Sequence, residues 1–212
     1  MCSSDLKAEK LVADLSEESP GATIIPVWGD LSVMQEVVEL AEQILSIELP
    51  VDCLVNNAGI YTKHRKTTAD GFEKTMAVNY FSAYLLTRRI LPALEQAPKA
   101  RIVNVSSMTH DGAIIDPNDL NLTQNWTAYD AYSISKLANV LFSMALADRL
   151  LGLGITSNAL HPGVVTTKLL RDAFSMTGIS TADGAKTSIH LATSTDVDGV
   201  TGEYFVDRRS VG

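Results

Sequence analysis

The sequence is short of cysteine, of long apolar runs and of positive charge, and each shortage removes a class of protein. Two cysteines, Cys2 and Cys53, supply neither a disulfide framework nor zinc-ligand spacing, so a reducing, cytoplasmic setting is expected. No run of about 18 apolar residues occurs, so no transmembrane segment is expected in this chain. A formal net charge of -8 and a pI near 4.9 argue against nucleic acid or an anionic membrane surface as the main partner. No internal repeat or low-complexity tract interrupts the sequence. Asn121-Leu122-Thr123 and Asn125-Trp126-Thr127 match the glycosylation triplet, but no secretory signal precedes them and both read as coincidence.

What is present is one domain's worth of chain, 212 residues with 46% hydrophobic and 20% charged content. Leu6, Leu11, Val12 and Leu15 recur at helical spacing until Pro20-Gly21. Ala22 to Trp28 reads as a strand with Asp30 at its end, and Ser32 to Leu45 as a helix with Ser32 as N-cap and Glu36 in its first turn. Val51 to Val55 and Arg101 to Val105 have the continuous apolar character of strands buried in a parallel sheet. Between them, Phe72 to Leu94 is a long helix. Asp111 to Thr127 reads as a loop, Ala131 to Leu151 as a helix, Ile155 to Leu160 as a strand, Thr181 to Ala192 as a helix and Glu203 to Val206 as a last strand. Strands alternating with helices imply right-handed crossovers and a Rossmann-type doubly wound parallel sheet with helices on both faces. In such sheets the ligand crevice lies beyond the carboxyl ends of the strands. That rule brings Asp30, Asn56 to Gly59, Ser106-Ser107 and His161-Pro162-Gly163 toward one edge.

Tyr132 and Lys136 are spaced by four, which puts phenol and ammonium on one helix face. A free phenol, with a pKa of about 10, is a poor base near neutrality, and a neighbouring ammonium is expected to lower that value. A hydroxyl from Ser107 could hold a reacting oxygen while charge develops on it. Taken singly, these residues are equally a helix surface and a hydroxyl-capped strand end. Other polar groups read as structural: Lys63-His64-Arg65-Lys66 as a solvated loop, His161 as a hydrogen-bonded histidine, and Asn104 as buried in its strand.

The combination is more specific. Asn56-Asn57-Ala58-Gly59 after a buried strand, Asn79 in the next helix, Ser107, Tyr132 and Lys136, then Pro162-Gly163 with Thr167, resembles the short-chain dehydrogenase/reductase family over residues 6 to 206. The resemblance implies an NAD(P)-dependent oxidoreductase interconverting alcohol and carbonyl, with NADP favoured over NAD. By it, Tyr132 is the general acid/base, Lys136 lowers its pKa and binds the nicotinamide ribose, Ser107 positions the carbonyl, and Asn79 holds a water in a proton relay. Ser106 is the lesser candidate, since the family places its catalytic serine second. Asp30 and Leu31 would flank the adenine, Asn57, Ala58 and Gly59 the adenosine ribose side, and Val165 with Thr167 the nicotinamide amide. The stretches Val105 to His110, Ile115 to Asn121, Ser135 to Phe142 and His161 to Val165 are similar to the retinol dehydrogenase branch, which implies a lipophilic alcohol or carbonyl substrate.

Family members begin with a strand, a Thr-Gly-x-x-x-Gly-x-Gly turn and a helix whose N-terminus receives a pyrophosphate. No Gly-x-x-x-Gly-x-Gly occurs here, and Gly152-Leu153-Gly154 lies elsewhere in the order. The expectation is therefore a sheet lacking the first two strands and the helix between them, with Cys2-Ser3-Ser4 placing Ser3 in the slot of a 2′-phosphate-binding arginine. The strand at Ala22 to Trp28 would then close onto Val51 to Val55 or leave the first 30 residues poorly docked. Apolar surface left uncovered would be an aggregation hazard. Two classes of function follow: an oxidoreductase, or an inactive form acting as a regulatory homo- or heterodimer partner through the helices at 72–94 and 131–151. A dinucleotide sensor without turnover is disfavoured by the presence of Tyr132 and Lys136. Isothermal titration with NADH and NADPH is expected to show weak or no binding; a low-micromolar Kd for either would contradict this reading of the absent turn.

Overall fold

The computed structural model describes residues 3–211, with side chains from Glu9 onward apart from Asp172. Five strands, β1 (Cys53–Asn56), β2 (Ala100–Val105), β3 (Ile155–His161), β4 (Tyr204–Val206) and β5 (Arg209–Ser210), form one sheet in that order. The first four pair in parallel, and β5 folds back antiparallel on β4. The helices are α1 (Ser3–Glu18), α2 (Met34–Leu45), α3 (Lys74–Met76), α4 (Ser82–Leu94), α5 (Ala128–Arg149), α6 (Lys168–Phe174) and α7 (Thr181–Thr193). No helix among the described residues is long and apolar enough to cross a membrane.

Strand β2 explains the layering. Its alternate residues enter different cores, Ile102 beneath α2, α4 and α5, and Val103 and Val105 on the α7 side. The first core joins Ala41, Ile90, Leu94, Phe142, Leu146 and Leu150 to the sheet, and the second joins Leu160, Leu191, Val197 and Phe205. A strand covered on both faces has no room for polar alternation, which is why it reads as a continuous apolar run.

The amino-terminal part departs from the expectation. Residues 22–30 carry no strand, and Ile25 and Trp28 are half exposed at 51% and 52%. Strand β1 takes its one partner from β2 and stands at the sheet edge. β-Branched residues favour extended backbone, but a strand also needs a ladder to join, and Pro26 has no N–H to give to one. The alternative of a poorly docked start is the one observed: from Glu9 to Glu18, α1 exposes every side chain but that of Val12. Docking begins at α2, whose Val37 and Ala41 are buried. The Cys2–Ser4 correspondence lies outside the described side chains.

The cap of α2 is corrected too. Val33 occupies the N-cap position and Ser32 is buried. The Met34 N–H is instead taken by Asp70 Oδ2 at 2.8 Å, from a distant loop, while Asp30 Oδ1 accepts from Ser32 N. The expected helix at 72–94 starts at Lys74, with Glu73 accepting from Met76 N, and loosens into a π-helical turn over Ala77–Phe81 before α4. Helix α5 begins earlier than expected because Thr127 Oγ1 caps it, accepting from Asp130 N at 3.0 Å.

Leu160→Ala, at a fully buried site, is expected to cost about 3 kcal/mol in urea unfolding, whereas Ile25→Ala should cost no more than about 0.5 kcal/mol. A large loss from the second variant would show that residues 22–28 are packed after all.

Candidate active site

The end of β2 carries Ser106 and Ser107, and the structure separates their roles. Ser106 Oγ donates to the backbone oxygen of Lys136 at 2.7 Å and is consumed in holding α5 to the sheet. Ser107 leaves its hydroxyl beside the Tyr132 phenol, accepting a long bond from Thr109 N at 3.3 Å. Its carbonyl accepts from His110 Nδ1 at 2.7 Å, which fixes the turn that presents the hydroxyl.

Tyr132 and Lys136 lie one turn apart inside α5 and are both buried. Lys136 Nζ donates to Val105 O at 2.9 Å and lies 5.6 Å from the Tyr132 ring centroid. Burial pushes the Lys136 ammonium down to about 8. Burial also raises the Tyr132 phenol above its usual value, against a lowering by the Ser107 hydroxyl. The expected depression of that phenol by Lys136 is therefore corrected: loss of water outweighs its neighbours, and Tyr132 is protonated near neutral pH.

Asn79 sits in the π-helical turn and is fully engaged. Its Oδ1 accepts from Ile60 N at 2.8 Å, and its Nδ2 donates to Ile60 O at 3.0 Å and Ser135 Oγ at 2.9 Å. Its backbone oxygen accepts from Asn139 Nδ2 at 3.0 Å. Ser135 Oγ donates in turn to Tyr132 O at 2.7 Å. Ser135 and Asn139 thus join the site as supports, and their place beside Tyr132 and Lys136 on one helix was the available signal. Gly59 closes the group: a Cβ there would stand 3.4 Å from Lys136 Nζ and 3.6 Å from Asn79 Oδ1.

Other expected residues lie around this centre. Asn57 and Ala58 are exposed just before Gly59. Val165 pairs with Ile179, and Thr167 Oγ1 caps α6, a helix the sequence reading missed, by accepting from Leu170 N. Phe174 of that helix touches Tyr61, which touches Tyr132. Asp30 and Leu31 lie in the turn before α2, where Asp30 N donates to Glu36 Oε2 and the Asp30 carboxyl is held low by Ser32.

The polar groups read as structural behave so. His161 Nδ1 accepts from Met108 N at 3.3 Å, and burial with His110 nearby lowers its affinity for a proton. Asn104 is fully buried and donates to Ser143 Oγ. In the exposed Lys63–Lys66 loop, Arg65 donates to Leu122 O and Asn121 O.

For a nicotinamide dinucleotide the fit is divided. The small Gly59, the buried Lys136 amine and the Tyr132 phenol suit the nicotinamide ribose, with Val165 and Thr167 nearby in sequence to the α6 excursion. No glycine turn ahead of a helix is available for the pyrophosphate among the described residues.

A family model described as short chain dehydrogenase matches residues 1–178. Bovine retinol dehydrogenase 12 is 36% identical over 215 residues, covering 97% of this chain and 68% of that protein. Human retinol dehydrogenase 14 is 40% identical over 194 residues, covering 84% of this chain and 57% of that protein. The Pseudomonas aeruginosa RhlG/NADP active-site complex superposes with a TM-score of 0.66 at 25% identity, over 84% of this chain and 72% of that one.

Burial of Lys136 has a testable sign. Its folded pKa is depressed, so the cost of burying its charge is full below about pH 8 and is relieved as pH rises toward 10.5. Lys136→Met should be more stable than the native chain at pH 7, with the gap shrinking between pH 8 and 10.5 in thermal unfolding. A gap independent of pH would mean that the amine is already neutral or well hydrated.

Proposed function

Because this chain belongs to the short-chain dehydrogenase family, we propose that its site interconverts a lipophilic carbonyl and the corresponding alcohol with a nicotinamide dinucleotide, NADP or NAD. The observation that carries this reading is the cluster of Gly59, Asn79, Ser107, Tyr132 and Lys136 at the carboxyl ends of β1 and β2. The chain spans 57–68% of the length of the two retinol dehydrogenases, so the activity of the whole protein enters as a proposal. The P. aeruginosa relative is an NADP complex, which supports NADP as one of the two cofactors. When bound, the dinucleotide supplies or accepts the hydride.

The chain's own residues handle the proton and the oxygen. Ser107 Oγ and the Tyr132 phenol stand together, so both can donate to one substrate oxygen. A phenol kept protonated by burial can give its proton to a carbonyl oxygen as the acid of the reductive direction. Lys136, held by Val105 O, places positive charge behind the phenol as it becomes phenolate. Asn79, through Ile60 and Ser135, holds Gly59's neighbour and the first turns of α5 in place. Met108, next to Ser107 in the chain, is 58% exposed and supports a lipophilic substrate.

Reduction of a medium-chain aldehyde at millimolar NADPH should fall about 100-fold or more in Tyr132→Phe, with Ser107→Ala also impaired. Undiminished turnover in Tyr132→Phe would remove the assignment.

A second reading, an inactive dimerisation or regulatory partner, is favoured by one observation: Leu141 and Met144 on α5 are about half exposed, beside Tyr84 on α4. Sedimentation equilibrium should show a dimer that Leu141→Asp dissociates; a native monomer would exclude this interface.

A further inference from the structure

The β2–β3 ladder ends where Ser106 N donates to Leu160 O at 2.8 Å. Ser107 continues in extended backbone, φ −157° and ψ 154°, and the chain then tightens into a 3₁₀ turn over Met108–His110. A turn that starts so abruptly leaves its first N–H groups without partners of its own. Thr109 N finds the Ser107 hydroxyl oxygen at 3.3 Å. Met108 N is met from the neighbouring strand. His161 is the residue after Leu160, and its Nδ1 accepts that N–H at 3.3 Å.

The other end of the same peptide unit is held by His110. Its Nδ1 donates to Ser107 O at 2.7 Å, and its backbone N–H reaches the same oxygen at 3.1 Å. The His110 ring rests on Tyr204 of β4, with centroids 4.6 Å apart. The peptide joining Ser107 to Met108 is thus gripped at both ends of its dipole, its N–H by a ring on β3 and its carbonyl by a ring lying on β4.

The two bonds require opposite protonation patterns. A carbonyl oxygen only accepts, so His110 carries its proton on Nδ1. A backbone N–H only donates, so His161 Nδ1 is bare and the neutral ring keeps its proton on Nε2. Burial first, and His110 second, lower the affinity of His161 for another proton, which keeps this acceptor available near neutrality.

We infer that His161 and His110 are positioning residues that clamp the Ser107–Met108 peptide with rings of opposite tautomer, aiming the Ser107 hydroxyl at the oxygen that reacts beside Tyr132. The inference rests on the oxidoreductase reading above. Turning that peptide plane changes ψ of Ser107 and φ of Met108, which takes Thr109 N away from the Ser107 hydroxyl and frees it to rotate. A donor that must meet developing charge in one geometry loses rate when it is left free, because the misplacement is felt in the transition state.

The test uses the full chain and the fact that an Asn carboxamide reaches where Nδ1 of a histidine stands, whereas that of Gln reaches toward Nε2. Long-range proton–nitrogen NMR of the native chain near neutral pH should show His161 with its proton on Nε2 and His110 with its proton on Nδ1. The Tyr132 Cζ carbon resonance, assigned with Tyr132→Phe, reports the Ser107 hydroxyl without any turnover. His161→Leu, His161→Gln and Ser107→Ala should shift that resonance alike, and His161→Asn should leave it near its native position. In reduction of a medium-chain aldehyde by NADPH, His161→Leu should lower kcat about 10-fold with KM within about twofold, and His161→Asn should restore kcat to within about threefold. Circular dichroism shows which variants are folded, and the native tautomers are read whether or not His161→Leu folds. The opposite tautomer at either ring, rescue by Gln as complete as by Asn, or an unmoved Tyr132 resonance in folded His161→Leu would overturn the inference. The expected tautomers and resonance shifts in a native chain without turnover would leave the clamp standing and remove the oxidoreductase reading instead.

Discussion

The bond from Lys136 Nζ to the carbonyl of Val105 is the constraint on which the site depends. It buries an amine at the end of a strand that is itself covered on both faces, and burial of such a group is tolerable only with a partner. Ser106 reinforces it by donating to the Lys136 carbonyl, so α5 and the carboxyl end of β2 are joined twice through one residue. With α5 fixed in this way, the Tyr132 phenol faces Ser107 and the first turns meet Asn79. Gly59 lies against the same amine, where a Cβ would stand at van der Waals contact, 3.4 Å from Nζ. Proton chemistry and helix placement therefore share one physical cause.

Much of the fold was legible in the sequence because its signals are local or periodic. The strands β1 and β2 announce themselves as apolar runs, and the spacing of Tyr132 and Lys136 places both on one helix face. What failed depends on partners distant in the chain. Ala22 to Trp28 has the composition of a strand, but composition does not supply a neighbouring ladder. Ser32 has the chemistry of a cap, yet Asp70 reaches across to take the Met34 N–H. The direction of the Tyr132 shift depends on how much water the fold removes, which no spacing reveals. Helix α6 and the Tyr61–Phe174 contact were missed for the same reason, since Tyr61 follows a readable motif but its partner lies far along the chain.

The site divides where the cofactor would. Residues suited to the nicotinamide ribose gather around Lys136, while Asp30 and Leu31, expected at the adenine, are engaged in the turn that leads α2. The bonds that hold Asn79, Ser106 and Lys136 form without a strand at 22–28, while Asn139 Oδ1 is buried with no partner.

We propose that this chain carries the proton-transfer groups of the site and, among its described residues, no glycine turn to hold the phosphates of the dinucleotide. The most direct measurement compares NADPH with reduced nicotinamide mononucleotide, which lacks the second phosphate and the adenosine, as hydride donors to the same aldehyde. The two kcat/KM values should lie within about threefold of each other, because interactions absent from the site contribute nothing to either donor. A preference for NADPH of about 100-fold or more would contradict it, showing that the chain binds the adenosine phosphates through residues assigned here to other roles.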